Sequence, residues 1–192
     1  MTSFPLRFTL FGALVFAGPA AGPAFARDVA GVRLPEAIEV DDTELRLNGA
    51  GLRWATVFNV KVYVSALYLA TPSKDPNAIV QADEPKSVLT RFLRRMGKEK
   101  IIGAFRQGFE RNSGADAEAL QPWLERVAAA LPAEVKEGME VAVTYVPGKG
   151  TTVAGPSGQV TIAGKPFADA MFRSWLGARP ADAGVKKAML GR

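Results

Sequence analysis

Residues 54–70 read Trp54-Ala55-Thr56-Val57-Phe58-Asn59-Val60-Lys61-Val62-Tyr63-Val64-Ser65-Ala66-Leu67-Tyr68-Leu69-Ala70, rich in β-branched and aromatic side chains and free of proline and glycine. That composition suits the pleated, half-buried surface of a sheet. By the two-residue period of a strand, Phe58, Val60, Val62, Val64, Ala66 and Tyr68 share one face, while Asn59, Lys61, Tyr63 and Ser65 share the other. The first face reads as core. The second is polar enough to line water or a ligand.

On the N-terminal side, Ala37-Ile38-Glu39-Val40 and Leu45-Arg46-Leu47 stand between acidic or glycine breaks, the last being Asn48-Gly49-Ala50-Gly51, so this region reads as two short strands with turns. On the C-terminal side, a turn at Pro72–Pro76 and a polar loop lead to a strand over Ser87–Leu93. Ile101, Ala104, Phe105, Gly108 and Phe109 then recur at spacings of three and four, which predicts a helix over Lys98–Glu110. The same periodicity in Leu120, Trp123, Leu124, Val127, Ala128 and Leu131 predicts a second helix from Asp116 to Leu131, stopping before Pro132. Residues 140–162 alternate in three runs broken at Pro147-Gly148 and Gly155-Pro156, a three-stranded meander. Helices over Phe167–Trp175, ended by Gly177, and Asp182–Leu190 close the chain. Strands and helices are segregated, so the fold class is α+β with a mainly antiparallel sheet covered on one face by helices.

The chain has 192 residues, 48% apolar and 22% charged, the size of one compact domain. It holds no cysteine and no histidine, which excludes a Cys/His zinc site, a cysteine nucleophile, a disulfide framework and a serine-histidine triad. No metal or cofactor is expected. The net charge of +5 is made of interspersed charges, a weak pull towards anions rather than the patch a nucleic-acid binder presents.

The first 26 residues carry one positive charge at Arg7, the apolar run Phe8–Ala17 and a small-residue end at Ala24-Phe25-Ala26. This is the layout of a secretory signal peptide cleaved after Ala26. The apolar run is shorter than the roughly 20 residues that span a bilayer and is followed by Pro19 and Pro23. Removal would leave residues 27–192 as one basic exported domain. The alanine-, glycine- and arginine-rich usage points to a Gram-negative periplasm, with membrane contact at most peripheral.

Three stretches together resemble the chalcone isomerase superfamily, in particular its bacterial exported chalcone isomerase-like branch. They are Leu47-Asn48-Gly49-Ala50-Gly51-Leu52-Arg53 with the strand Val60–Leu69, which looks like the family's Gly-x-Gly-x-Arg turn and long strand; Tyr145-Val146-Pro147-Gly148-Lys149-Gly150-Thr151; and Phe167–Gly177. The resemblance implies an open-faced β-sandwich, a large antiparallel sheet packed against a layer of helices with a ligand cleft between them. It also implies one of several roles, because the family contains enzymes that cyclise a chalcone, non-catalytic fatty-acid binders and members of unknown role. Arg53 matches the arginine that orients a phenolate in the enzymes and a carboxylate in the binders. Tyr63 matches a position that is threonine in the plant enzymes and tyrosine in the binders, and Ser174 falls near a hydroxyl position of the enzymes' last helix. The stretch that supplies a catalytic tyrosine and asparagine reads Gly97-Lys98-Glu99-Lys100-Ile101-Ile102-Gly103-Ala104 here and holds neither.

The cyclisation needs a proton donor beside the developing enolate. Arg53 without those donors binds an anion but does not stabilise that transition state. The first reading is therefore a periplasmic, non-enzymatic binder of a small amphipathic or aromatic anion such as a fatty acid, with Arg53, Tyr63 and Ser174 as ligand-binding residues. An isomerase using the same three residues is the alternative, and an envelope assembly partner with no small ligand is a third. An apolar cavity of roughly 300 Å³ or more ending at Arg53 would favour the first two. Along one unbroken strand Arg53 and Tyr63 would stand about 33 Å apart. A turn, expected at Val57-Phe58-Asn59, must separate them if they share a ligand.

Each residue also has a plainer reading. Arg53 could be a solvated arginine stacked on Trp54, Tyr63 a sheet-surface aromatic, and Ser174 an ordinary helix residue. The basic group Arg91, Arg94, Arg95, Lys98 and Lys100 reads better as a solvated strand-to-helix junction than as a membrane patch, because it does not lie on one helical face.

Overall fold

The computed structural model describes residues 26–55 and 60–192. The signal peptide expected over residues 1–26 lies, all but Ala26, outside the described residues, as does the turn expected at Val57-Phe58-Asn59. In chain order the elements are β1 (Ala26–Val29), β2 (Val32–Pro35), β3 (Ala37–Val40), β4 (Thr43–Ala55), β5 (Val60–Leu69), α1 (Pro76–Gln81), β6 (Lys86–Phe92), β7 (Met96–Gly97) and α2 (Lys98–Asn112). A 3₁₀ helix (Gly114–Leu120), α3 (Gln121–Ala129), β8 (Glu134–Val135), β9 (Glu140–Val146), β10 (Gly150–Gly155), β11 (Gly158–Ile162), α4 (Lys165–Leu176) and α5 (Ala183–Met189) complete the chain.

Among the described residues seven strands form one antiparallel sheet in the order β11-β10-β9-β6-β5-β4-β3. This is the α+β, open-faced β-sandwich that the sequence predicts. The helices cover one face, where Leu67, Val88, Val143 and Val153 meet Phe109, Leu124, Phe167 and Met171. The other face is covered too: Leu45, Leu47, Val64, Ala66 and Tyr68 pack under Val32 and Leu34 of the β1–β2 hairpin. The apolar face of β5 thus lies beneath this hairpin, and its other face, with Ser65 and Leu67 both fully buried, lies beneath the helices.

Gly49 and Gly51, expected in a turn, lie inside β4. The register slips between Leu47 and Gly49, and this bulge turns the strand over, so that Leu47 faces the hairpin and Gly49 faces the helices. There α5 comes so near that a Cβ on Gly49 would stand 2.2 Å from the Ala188 carbonyl oxygen, and one on Gly51 2.8 Å from the Val185 Cα. The glycines serve close packing of a helix on a strand rather than a reversal of the chain.

Two further boundaries differ from the periodicity. The helix expected over 116–131 is broken at residue 121, because Pro122 has no N–H to return to the Glu118 carbonyl. The Gln121 N–H takes that carbonyl instead, in a 3₁₀ turn. The loop after Pro76 contains α1, only six residues long, started by Asp75, whose carboxylate accepts from Asn77 N at 2.8 Å and Ala78 N at 3.3 Å. The far end of α1 is held by Lys86 of β6, only 2% exposed, whose Nζ donates to the carbonyls of Ile79 (2.6 Å), Val80 (3.2 Å) and Ala82 (2.6 Å).

Candidate functional site

The strand pairing answers the geometric condition on Arg53 and Tyr63. They are direct partners across the β4–β5 ladder, side by side instead of about 33 Å apart. The Arg53 guanidinium carbon lies 5.8 Å from the centre of the Tyr63 ring.

Arg53 is also tied to the segment leading into α5. Its Nη1 donates to the Ala181 carbonyl at 2.9 Å and stands 4.0 Å from an Asp182 carboxylate oxygen. Asp182 is fixed in turn as the cap of α5, its other oxygen accepting from Val185 N at 2.9 Å. Burial raises the Tyr63 phenol above its ordinary pKa, with the Arg53 charge pulling the other way and the Asp182 charge adding to the rise. Tyr63 is therefore a neutral hydrogen-bond donor beside a fixed positive charge.

Tyr63 and Ser174 border one cavity of about 70 Å³, between the sheet and the crossing of α2 and α4. The sheet supplies Tyr63, Thr90, Phe92, Val141 and Val143, while the helices supply Ile101, Ala104, Phe105, Ser174 and Trp175. Ala181 also borders it, so the Arg53 guanidinium sits at its edge, bonded to a wall residue, and is not itself a wall. Ala104 on the α2 wall is exposed, so the cavity meets solvent there.

Among the described residues the lining side chains are apolar apart from hydroxyls, and two of these are engaged within the protein. The Thr90 hydroxyl shares a hydrogen bond with that of Ser65 at 2.7 Å, and Ser174 Oγ donates to the Ala170 carbonyl at 3.3 Å. Ser174 is 3% exposed and marks where α2 and α4 touch, since a Cβ on Gly108 would come within 2.4 Å of its Oγ. The stretch 97–104, where the enzymes carry tyrosine and asparagine, does reach the cavity, and the residues it presents there are Ile101 and Ala104.

The cavity is about a quarter of the roughly 300 Å³ expected of a ligand site. Aromatic side chains take up the space: Phe105 stands edge-on to Trp175 with ring centres 5.5 Å apart, and Phe172 continues the stack at 6.3 Å from Trp175.

Arg53, Tyr63 and Ser174 stand out in the sequence, and Phe105 reads there as a core residue that an apolar cleft could expose, whereas Thr90 and Asp182 carry no signal of a place at the site. The register that aligns Thr90 with Ser65 could be guessed only after β5 and β6 were known to pair. Asp182 carries a helix-cap signal, yet nothing local places it beside Arg53.

The chalcone isomerase-like family pattern matches residues 26–191, and the chain belongs to that family. Among solved structures it is similar to a fatty-acid binding protein from Arabidopsis thaliana, with a TM-score of 0.70 over 86% of this chain and 96% of that one, at 14% identity. A likeness at that identity establishes the shared fold. No curated protein matches the sequence.

Proposed function

We propose that the protein is an exported, periplasmic and non-enzymatic binding protein for a small amphipathic anion such as a fatty acid, released from its signal peptide after Ala26. The observation that carries this reading is the Arg53 guanidinium beside the Tyr63 hydroxyl at the edge of a small apolar cavity, with Asp182 as the present partner of the guanidinium and, among the described residues, no proton donor on the α2 wall. A carboxylate is stabilised by the Arg53 charge and the Tyr63 hydroxyl, while its tail leaves water for the apolar interior. The fold shared with a fatty-acid binding protein supports the same assignment. The apolar face of α2 speaks against the isomerase, since an enolate forming in the cavity would meet Ile101 and Ala104.

Native mass spectrometry of the chain from Arg27, purified without detergent beside an Arg53→Ala variant, tests the proposal. A carboxylate adduct on the parent that is absent from the variant is the expected result. An unloaded parent that cyclises a chalcone would replace the binding reading with the isomerase.

A further inference from the structure

The size of the cavity and the identity of its helical wall narrow the ligand. A cavity of 150 Å³ accepts benzene, about 25 Å³ per carbon, so the 70 Å³ here seats about three carbons and no aromatic ring. Beyond Ser174 the space ends, because α2 and α4 meet at Gly108 with no room for even a Cβ, and the fully buried Phe109 and Phe167 fill the interior past that contact. On the near side of the crossing, Phe105 is the largest wall residue contributed by α2. It is only partly buried and is held edge-on by Trp175.

We infer that the site takes a short-chain aliphatic carboxylate of about four carbons, three in the cavity and the carboxylate at the Tyr63–Arg53 edge, and that Phe105 sets this limit. The inference rests on the binding reading and deepens it. Removing the six ring carbons of Phe105 would add up to about 150 Å³ on the same scale, the ring being only partly buried, which enlarges the space to at most roughly 220 Å³ and about nine carbons. Phe105→Leu removes three carbons and extends the limit by up to about three.

The test is a titration of the mature chain with a series of straight-chain carboxylates labelled with ¹³C at the carboxyl carbon, from acetate to dodecanoate, monitored by NMR. Each methylene that finds a place strengthens binding by about four-fold. Affinity therefore climbs along the series until the cavity is full and then stops climbing. The parent is expected to break near four carbons, Phe105→Leu at up to about seven and Phe105→Ala at up to about ten, with thermal unfolding showing that each variant is folded. Should Phe105→Ala fail to fold, Phe105→Leu still decides the matter. A parent whose affinity climbs through to dodecanoate, or a break that does not move in a folded variant, overturns the limit while leaving the binding reading in place. A parent and variants that bind no carboxylate of any length overturn both.

Discussion

Replacing Gly49 with alanine tests the close contact between β4 and α5. The added Cβ would stand 2.2 Å from the Ala188 carbonyl oxygen and 2.7 Å from that of Met189, against an ordinary contact that begins at 3.4 Å. Because the obstructing atoms are backbone, no rotamer change relieves them, and α5 must withdraw by about 1 Å. Overpacking by a methyl group commonly costs about 1–3 kcal/mol where neighbours adjust. Full undocking would expose Val185, Met189 and Leu190, each no more than 2% exposed, at about 1.5–3 kcal/mol apiece. The Asn48 side chain would also lose its 2.8 Å bond to the Met189 carbonyl. We expect a loss of about 3 kcal/mol, which lowers Tm by roughly 6–12 °C in a domain of this size. Thermal unfolding monitored by circular dichroism measures it, with Gly103→Ala as the control. Gly103 lies inside α2 with nothing within 4 Å of its Cβ position, so alanine there should stabilise by about 0.5–1 kcal/mol. Equal Tm values for Gly49→Ala and the parent would refute the close-packing account of β4 and α5.

Two more predictions concern charges. Asp182→Asn keeps an oxygen to cap α5 but removes the negative charge facing Arg53, so carboxylate affinity should rise by about two- to five-fold, the range of a partly exposed ion pair; unchanged affinity in the titration would remove Asp182 as a competitor for Arg53. The second concerns pH. Burial, helped by neighbouring Lys165, pulls Lys86 down from 10.5 to about 8. Between those values the unfolded chain holds more protons than the folded one, and stability rises with pH. Burial pushes Tyr68 and Tyr145 up from 10.0 to about 12, so above pH 10 the folded chain holds the extra protons and stability falls. Urea unfolding across pH 7 to 12 should show a rise and then a fall, and Lys86→Met should lose the rise; a rise that persists in that variant would place its origin elsewhere.

Much of the architecture is local and therefore legible from the residues. The alternation in Val60–Leu69 and in residues 140–162 dictates strands, the spacing in residues 101–109 dictates a helix face, and Asp182 ahead of an apolar pattern dictates where α5 begins. These signals depend on neighbours within a turn or two, and they also carry the family resemblance that brought Arg53, Tyr63 and Ser174 forward. Features that depend on two distant segments meeting could not be read. The one-residue bulge after Leu47 decides that Gly49 faces a helix from the far end of the chain, and no local pattern distinguishes that from a turn. Lys86, a charged residue in an ordinary strand, becomes buried because three carbonyls at the end of α1 converge on its ammonium group. Above all, the sequence could place a guanidinium beside a cleft but could not measure the cleft, because its volume is the space left after Phe105, Trp175 and the contact of Gly108 with Ser174 have taken their share. Residue types determine which chemistry is present, whereas the crossing of α2 over α4 decides how large a molecule can reach it.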